Sequence, residues 1–271
     1  MSKDVETAEA FATSWNNLPR GSVYTRAQVE DWLAPVTEKE IRGKHVLELG
    51  CGNGSLMVHV AAWKPASVEG VDLGASVSSA ERNMRETGFE RFKITQADLT
   101  TFSSNGADFV YSIGVLHHLQ EPAEGFKAVL ANVKPGGHFH CWVYAREGNN
   151  VIVRIVDPLR KLASRLPWWI TKYLVATPLV VPYYIYAKIL RRLRNVSWLR
   201  KLPLYNYSLW IAERDFAFFR HVAFDQLVTP QTTYVDRATI ASWLTDPRIV
   251  PGSSYTIFRN GNSWKFGGVV R

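Results

Sequence analysis

Residues 45–54 read His45-Val46-Leu47-Glu48-Leu49-Gly50-Cys51-Gly52-Asn53-Gly54. A β-type run ends in a turn with three glycines, and apolar residues then follow at helical spacing at positions 56, 60 and 63. A strand, a glycine-rich turn and a helix in this order place backbone N–H groups against a ligand. The spacing G-x-G-x-G differs from the G-x-G-x-x-G of dinucleotide-binding turns, which argues against a nicotinamide oxidoreductase. Glu48 would also repel a pyrophosphate, so the stretch suits a ligand with a cationic end. A structural glycine turn with a surface glutamate is the alternative for this stretch taken alone.

Short apolar runs alternate with helical patterns outward from this stretch, as far as Tyr144. Strands are predicted at 45–49, 67–72, 92–96 and 108–113, and a fifth runs along the alternating residues 139–143. Strands separated by helices imply crossover connections and a parallel sheet covered by helices on both faces. The pattern predicts a doubly wound α/β domain, and strand-like runs at 254–258 and 263–270 add to it.

Acidic residues follow two further predicted strands. Asp72 ends the second strand, as expected for a carboxylate that accepts hydrogen bonds from ribose hydroxyls. Asp98 follows the third strand, where a carboxylate can accept from an adenine amino group. Each acid alone is more often a solvated loop residue. Together with Glu48 they stand at successive strand ends of one sheet, which is where open α/β sheets bind ligands.

These segments, with Phe109–Leu119 (FVYSIGVLHHL) and Val133–Gly137 (VKPGG), resemble the class I S-adenosylmethionine-dependent methyltransferases. The nearest likeness is to the small-molecule branch that includes the ubiquinone and menaquinone biosynthesis enzymes. The resemblance covers roughly residues 40–145 closely and 230–271 in outline. It implies an α/β, Rossmann-like, seven-stranded sheet with the last strand antiparallel. It also implies S-adenosyl-L-methionine as the cofactor, with S-adenosyl-L-homocysteine as the product.

The resemblance assigns residues to parts of this cofactor. Glu48 and the glycine loop would hold the methionine portion, and Asp72 would hold the ribose. Leu73 would pack on the adenine, Asp98 and Leu99 would fix the adenine edge, and the backbone after the fourth strand would face the methionine end. The predicted cofactor residues are Glu48, Gly50, Cys51, Gly52, Gly54, Asp72, Leu73, Ala97, Asp98, Leu99, Ser112 and Ile113.

His117 and His118 are the predicted catalytic residues, because they follow the fourth strand and histidine titrates in a range that suits a general base. For each of them a role in loop packing or hydrogen bonding is the alternative. No metal is expected, since the two cysteines of the chain, Cys51 and Cys141, cannot build a four-ligand zinc site.

The basic residues are concentrated in one segment. Residues 151–201 contain eleven Lys and Arg and one acid, Asp157, so their net charge is +10 against +8 for the whole chain, which leaves −2 elsewhere. Within them residues 173–187 (YLVATPLVVPYYIYA) carry no charge. Fifteen residues with two prolines fall short of the roughly 20 that span a bilayer, and the prolines predict short helices. Two interpretations stay open: contact with a membrane surface or lipophilic acceptor, and a lid or dimerisation element with a solvated basic face.

The sequence therefore predicts four parts. Residues 1–44 form an N-terminal helical cap and 45–145 the cofactor-binding α/β core. Residues 146–230 form a basic, apolar helical lid or insertion between strand 5 and the last helix, and 231–271 complete the core with a helix and two strands. At 271 residues, 46% hydrophobic and 21% charged, the chain has ample material for a buried core.

The leading hypothesis is in-line transfer of a methyl group from S-adenosylmethionine to a small-molecule, lipophilic acceptor. The alternative acceptor is a polar or phosphorylated metabolite such as a sugar. A nucleic-acid-binding or membrane-surface protein is less favoured, and no nucleic acid is expected as a partner, because no Asp-Pro-Pro-Tyr-like motif follows the fourth strand. The first thirty residues lack an apolar core stretch, which predicts a cytoplasmic protein. Peripheral membrane contact and a homo-oligomer are left open.

Overall fold

The computed structural model describes residues 2–16, 24–150, 152–202 and 204–271. The chain forms two compact units. Of the described residues, the core unit comprises those within 1–144, 231–257 and 264–271, and the insertion unit comprises those within 145–230 and 258–263.

Seven strands form one sheet, in the spatial order β3-β2-β1-β4-β5-β7-β6. The strands are β1 His45–Leu49, β2 Ser67–Asp72, β3 Phe92–Gln96, β4 Ala107–Ile113, β5 Val133–Tyr144, β6 Tyr255–Arg259 and β7 Ser263–Val269. Each neighbouring pair among β1 to β5 is parallel. The order runs outward from β1 in both directions, so the predicted doubly wound sheet is confirmed.

The last strand runs against the others, as predicted. The backbone N–H of Gly136 donates to the carbonyl of Val270 (2.7 Å), and that of Ala145 donates to the carbonyl of Asn262 (3.0 Å). Residue numbers therefore rise along β5 while they fall along β7, which is the antiparallel arrangement.

The register of the parallel strands brings their carboxyl ends to one edge of the sheet. Leu49 of β1 lies opposite Val71 of β2, and Asp72 lies opposite Gln96 of β3. The central strands β1 and β4 are buried along most of their length, and Leu49 and Val71 are completely buried. Burial of one such side chain contributes about 1.5–3 kcal/mol. The loops after β1, β2, β3 and β4 all leave the sheet at this edge.

The helices of the core unit begin and end at recognisable residues. Gly88 follows α5 (Val77–Glu86) with φ +73°, and Pro122 lies in the first turn of α6 (Pro122–Ala131). Asp236 begins the last helix by accepting the N–H of Thr239 at 2.8 Å. The helices that precede the insertion are α1 Lys3–Asn16, α2 Arg26–Leu33, α3 Glu38–Ile41, α4 Met57–Ala61, α5 Val77–Glu86 and α6 Pro122–Ala131.

The insertion unit is helical. Its helices are α7 Asp157–Ala163, α8 Thr177–Arg192, α9 Tyr205–Ile211 and α10 Phe216–Val228, and α11 Arg237–Trp243 follows in the core unit. Two π-helical segments, Ile152–Val156 and Ile170–Ala176, lead into α7 and α8. α10 is buried along most of its length, through residues such as Phe218, Phe224 and Leu227.

The prolines do not divide the apolar segment, so the expectation of short helices was wrong here. Ile170–Arg192 is one continuous helical stretch of 23 residues, with Pro182 inside α8. Pro182 lacks the N–H that would bond the carbonyl of Pro178, and both residues are exposed, so water can satisfy that carbonyl. In the part of the chain described, this is the one helix long and apolar enough to cross a membrane by length and composition, and 22% of its apolar window is buried.

Candidate functional site

The glycine loop after β1 adopts a backbone that only glycine accepts readily. Gly50, Gly52 and Gly54 have φ values of +85°, +52° and +76°. A Cβ on Gly50 would lie 2.3 Å from a methyl carbon of Val115, which is the residue after the β4 strand end and Gly114. The three glycines therefore bring the loop backbone into a tight turn at the sheet edge, where its peptide groups can approach a ligand.

Hydrogen bonds fix the shape of this loop. The N–H groups of Gly50 and Cys51 donate to the carbonyl of Val71 at 2.7 and 3.0 Å. The amide of Asn83, on α5, donates to the carbonyl of Asn53 at 2.9 Å. Asn53 and Asn83 are both buried. The sequence analysis missed this pair, and the signal available was only an asparagine inside the turn and another on the apolar face of a predicted helix.

Asp72 joins the glycine loop to the loop after β2. Its Oδ2 accepts the N–H of Gly52 and its Oδ1 accepts the N–H of Gly74, each at 2.8 Å. Burial raises the pKa of the Asp72 carboxyl, and the two N–H groups act in the opposite direction. A carboxylate has about four acceptor positions, so two of them are left for hydroxyl groups of a ligand.

Glu48 is a buried acid beneath the glycine loop. Its side chain is 1% exposed, and the hydroxyl of Tyr111 donates to its Oε2 at 2.8 Å. Burial raises the pKa of Glu48 to about 8; the Tyr111 hydroxyl lowers it, and the charge of Asp72 raises it. At neutral pH the carboxyl is therefore held mostly protonated, and a cation beside it would stabilise the ionised form. Tyr111 was not predicted, although it carries a hydroxyl in the buried strand β4.

The residues after β3 lie at the same edge. The N–H of Ala97 donates to the backbone carbonyl of Asp72 at 3.0 Å. Oδ1 of Asp98 accepts the N–H and the hydroxyl of Thr100, at 2.8 and 2.7 Å. Leu99 is buried, and its Cδ1 would lie 3.7 Å from a Cβ on Gly125 of α6. Ala97 is thus hydrogen-bonded to the backbone of Asp72, and Leu99 packs towards α6. One oxygen of Asp98 is used in hydrogen bonds to Thr100 within the loop after β3.

The predicted residues at the ends of β2 and β4 are close to the glycine loop in the sheet. The hydroxyl of Ser112 donates to the carbonyl of Leu49 at 2.9 Å, which ties β4 to β1. Ser112 is buried and Ile113 nearly so. Leu73 is half-buried, and its carbonyl accepts the side-chain amide of Gln96 at 3.1 Å. Burial also raises the pKa of the Cys51 thiol, so this residue is a neutral thiol.

The two predicted catalytic histidines lie in a short turn, Leu116–His118, after β4. The ring of His117 is fully buried and lies 4.2 Å from the rings of both His118 and Tyr144. His118 is 8% exposed, and its Nδ1 lies 3.0 Å from the carbonyl oxygen of Gln231. A carbonyl only accepts, so Nδ1 carries the proton of the neutral ring and Nε2 is the basic nitrogen.

α1 lies over the strand-end edge. A Cβ on Gly74 would be 2.9 Å from the carbonyl oxygen of Ala8, and the ring of Phe11 lies 4.9 Å from that of His118. Asp4 also accepts the N–H of Gln120 at 2.8 Å. α1 thus covers the loops after β2 and β4, two of the segments that the sequence assigns to the site.

A family model described as a methyltransferase domain matches residues 23–195, which is more than half of the 271-residue chain. The match includes the glycine loop and every predicted cofactor residue.

Two curated relatives match shorter segments. The ubiquinone biosynthesis O-methyltransferase of Stutzerimonas stutzeri is 33% identical over 100 residues, which cover 36% of this chain and 43% of that protein. The tRNA U34 carboxymethyltransferase of Desulfotalea psychrophila is 30% identical over 102 residues, which cover 36% of this chain and 32% of that protein. The chain spans less than half the length of these relatives, which are named for different substrates.

Among solved structures, the N-methyltransferase NodS from Bradyrhizobium japonicum WM9, in complex with S-adenosyl-L-homocysteine, is similar over 98% of each chain. The TM-score is 0.54 and the sequence identity is 11%. At this identity the likeness is one of fold, and it confirms the predicted Rossmann-like sheet with its antiparallel last strand.

Proposed function

Since the chain belongs to the methyltransferase-domain family, we propose that it transfers a methyl group from S-adenosylmethionine to a small, lipophilic acceptor by in-line displacement. The prediction of a methyltransferase with this cofactor is confirmed at the level of the family. The acceptor and the roles of individual residues are part of the proposal.

The arrangement of Asp72 is the observation that carries the proposal. This half-buried carboxylate bridges the N–H groups of Gly52 and Gly74 at 2.8 Å each and keeps acceptor positions for two ribose hydroxyls. The buried carboxyl of Glu48 lies beneath the same loop, and the cationic methionine end of the cofactor would stabilise its ionised form. Asp72 thus fits the ribose of this ligand, and Glu48 fits its cationic methionine end.

The other predicted residues complete the proposed binding site. The methionine end would be held by the backbone of Gly50, Cys51, Gly52 and Gly54, with Ser112 and Ile113 across the sheet edge. The adenine would be held by Leu73, Ala97, Asp98 and Leu99, and the second oxygen of Asp98 could accept from its exocyclic amine.

When bound, S-adenosylmethionine supplies a methyl group on a sulfonium, already activated for attack. The chain must then align the acceptor and exclude water. α1 covers the loops after β2 and β4, which helps to exclude water. Where the acceptor carries a proton, we assign its removal to Nε2 of His118, the basic nitrogen of that ring. His117 is fully buried and holds His118 by ring packing at 4.2 Å.

Two observations bear on the acceptor. The insertion unit exposes many large apolar side chains, and a matched relative is named for ubiquinone biosynthesis; both favour a lipophilic acceptor. The basic residues of 151–201 favour the second candidate, a phosphorylated metabolite. We propose a cytoplasmic enzyme whose partner is this small molecule, with no nucleic acid among its substrates.

The test uses S-adenosylmethionine with a labelled methyl group, incubated with the protein and a lysate of its source cells. After extraction, the proposal predicts label in the organic phase, and much less with an Asp72→Ala protein at a cofactor concentration below the wild-type Kd. Label in aqueous small molecules would replace the lipophilic acceptor with a polar one. Nuclease-sensitive label would contradict the exclusion of nucleic acid. No transfer by a protein that binds the cofactor would contradict the proposed activity on any acceptor in that lysate.

A further inference from the structure

The insertion unit exposes an unusual amount of apolar surface. Within the described ranges, sixteen large hydrophobic residues are exposed, and fourteen of them lie between residues 153 and 198. The most exposed are Leu162 (71%), Leu174 (64%) and Trp198 (63%). Scattered apolar residues are normal on a protein surface, whereas a concentration of this kind marks a contact surface.

The exposed apolar residues around α7 share one helical face. Ile155, Leu159, Leu162 and Leu166 follow the spacing i, i+4, i+7 and i+11. Exposed basic residues repeat beside them at positions 154, 161 and 165, about a quarter of a turn away. An apolar stripe flanked by a basic stripe is the pattern of a helix that lies in a membrane interface.

α8 repeats the arrangement. Val181, Ile185 and Ile189 are exposed at the spacing i, i+4 and i+8. The opposite face, with Val180, Ala187 and Leu190, is buried, and the side chains at 192 and 194 near the end of the helix are exposed arginines.

The inner faces of these helices are occupied within the insertion unit. Three elements pack against α10: α7, the π-helical segment Ile170–Ala176, and α8. The hydroxyl of Thr171 donates to the carbonyl of Ala163 at 2.8 Å, which joins the two stretches. Lys188 donates to the carbonyls of Ala212 and Arg214 at 2.7 and 2.9 Å. Ile170–Arg192 is therefore attached to the other helices of the insertion unit by packing and by hydrogen bonds to their backbone carbonyls, which suits a helix lying on a bilayer better than one crossing it.

We propose that the exposed faces of residues 152–166 and 170–198 dock on the surface of an anionic lipid bilayer. The net charge of +10 over 151–201 is complementary to acidic headgroups. It opposes a contact between two copies of this face, since like charges would meet. Trp169, Tyr173 and Trp198 are exposed aromatic residues of the kind that lie at the headgroup level.

The experiment is flotation of the full-length protein with vesicles of phosphatidylcholine alone and of phosphatidylcholine with phosphatidylserine. We expect binding to the anionic vesicles, much less to the neutral ones, and a decrease as salt rises from about 0.1 to 0.5 M. Lys161→Gln/Arg165→Gln should weaken the partition about 25-fold, at about fivefold for each charge lost near the surface. Leu162→Ser/Leu174→Ser should weaken it at least about tenfold.

The matched control is Lys39→Gln/Lys44→Gln, which removes two exposed charges from the core unit and should leave the partition unchanged. All substituted side chains are exposed, so circular dichroism and the melting temperature should match the parent protein. The proposal is overturned by a folded protein that floats with neither vesicle, by equal binding to both, or by an equal loss in the control. A dimer that Leu162→Ser/Leu174→Ser dissociates, without vesicle binding, would assign the face to a second copy and also overturns it.

Discussion

Replacement of Glu48 by glutamine tests the electrostatics of the site without removing a large group. Burial raises the pKa of Glu48 from 4.5 to about 8. At about 1.36 kcal/mol for each pKa unit, the ionised carboxylate is disfavoured in the folded protein by about 5 kcal/mol relative to the unfolded chain. The folded protein thus binds more protons than the unfolded chain between pH 4.5 and 8. The free energy of unfolding should therefore fall as the pH rises through this window.

In Glu48→Gln the pH-dependent contribution of this carboxyl to the free energy of unfolding is absent. The amide keeps an oxygen that can accept from the Tyr111 hydroxyl and never acquires a charge. Near pH 5 the two proteins should have similar stability, and at pH 9 the variant should be more stable by several kcal/mol, up to about 5. Urea unfolding followed by tryptophan fluorescence at each pH measures the difference. Glu90→Gln, at an exposed carboxyl, is the control and should follow the wild type.

Cofactor binding gives the same residue a second readout. A cationic ligand requires the ionised carboxylate, so affinity for S-adenosylmethionine should rise up to about tenfold per pH unit below pH 8 in the wild type. Glu48→Gln should bind weakly with little dependence on pH. Unfolding free energies of wild type and variant that stay parallel from pH 5 to 9 would refute the assignment of a raised pKa to Glu48.

Three further substitutions probe the same edge of the sheet. Tyr111→Phe removes a hydrogen bond that lowers the Glu48 pKa, so this pKa should rise. The pH range in which the free energy of unfolding falls should move upward with it, and an unchanged range would deny the contact. Gly50→Ala places a Cβ 2.3 Å from Val115 at φ +85° and should cost at least about 2 kcal/mol in urea unfolding. Adding Val115→Ala should recover part of that loss, and no recovery would mean that the clash is not the cause. His118→Gln should lower kcat by about 100-fold with an unchanged Kd for cofactor, and an unaltered kcat would reject the base.

Periodicity and turn chemistry predict the framework of this site well. The bounds of β1, β2 and β3 agree with those expected from the sequence, because each strand reads as a short run between turn residues. The positions of the glycine loop and Asp72 could also be predicted, because parallel strands in register end at one edge of the sheet.

Contacts between distant residues could not be predicted in the same way. β5 begins at Val133 and includes Gly136 and Gly137, whereas the sequence predicts this strand only along residues 139–143. The strand continues because these glycines exchange hydrogen bonds with Val270, more than a hundred residues away. The Tyr111–Glu48 bond likewise depends on the register of β1 against β4. The continuous helix Ile170–Arg192 depends on packing against α9 and α10, which outweighs the local effect of Pro182.

The most direct test of the central claim is calorimetric binding of S-adenosylmethionine to the wild type and to Asp72→Ala. Loss of a carboxylate that accepts from ribose hydroxyls should cost about 1.5–3 kcal/mol, so Kd should rise about 10- to 150-fold. Glu90→Gln should bind like the wild type. An Asp72→Ala protein that is folded and binds with wild-type affinity would contradict the assignment of the strand-end edge as the cofactor site.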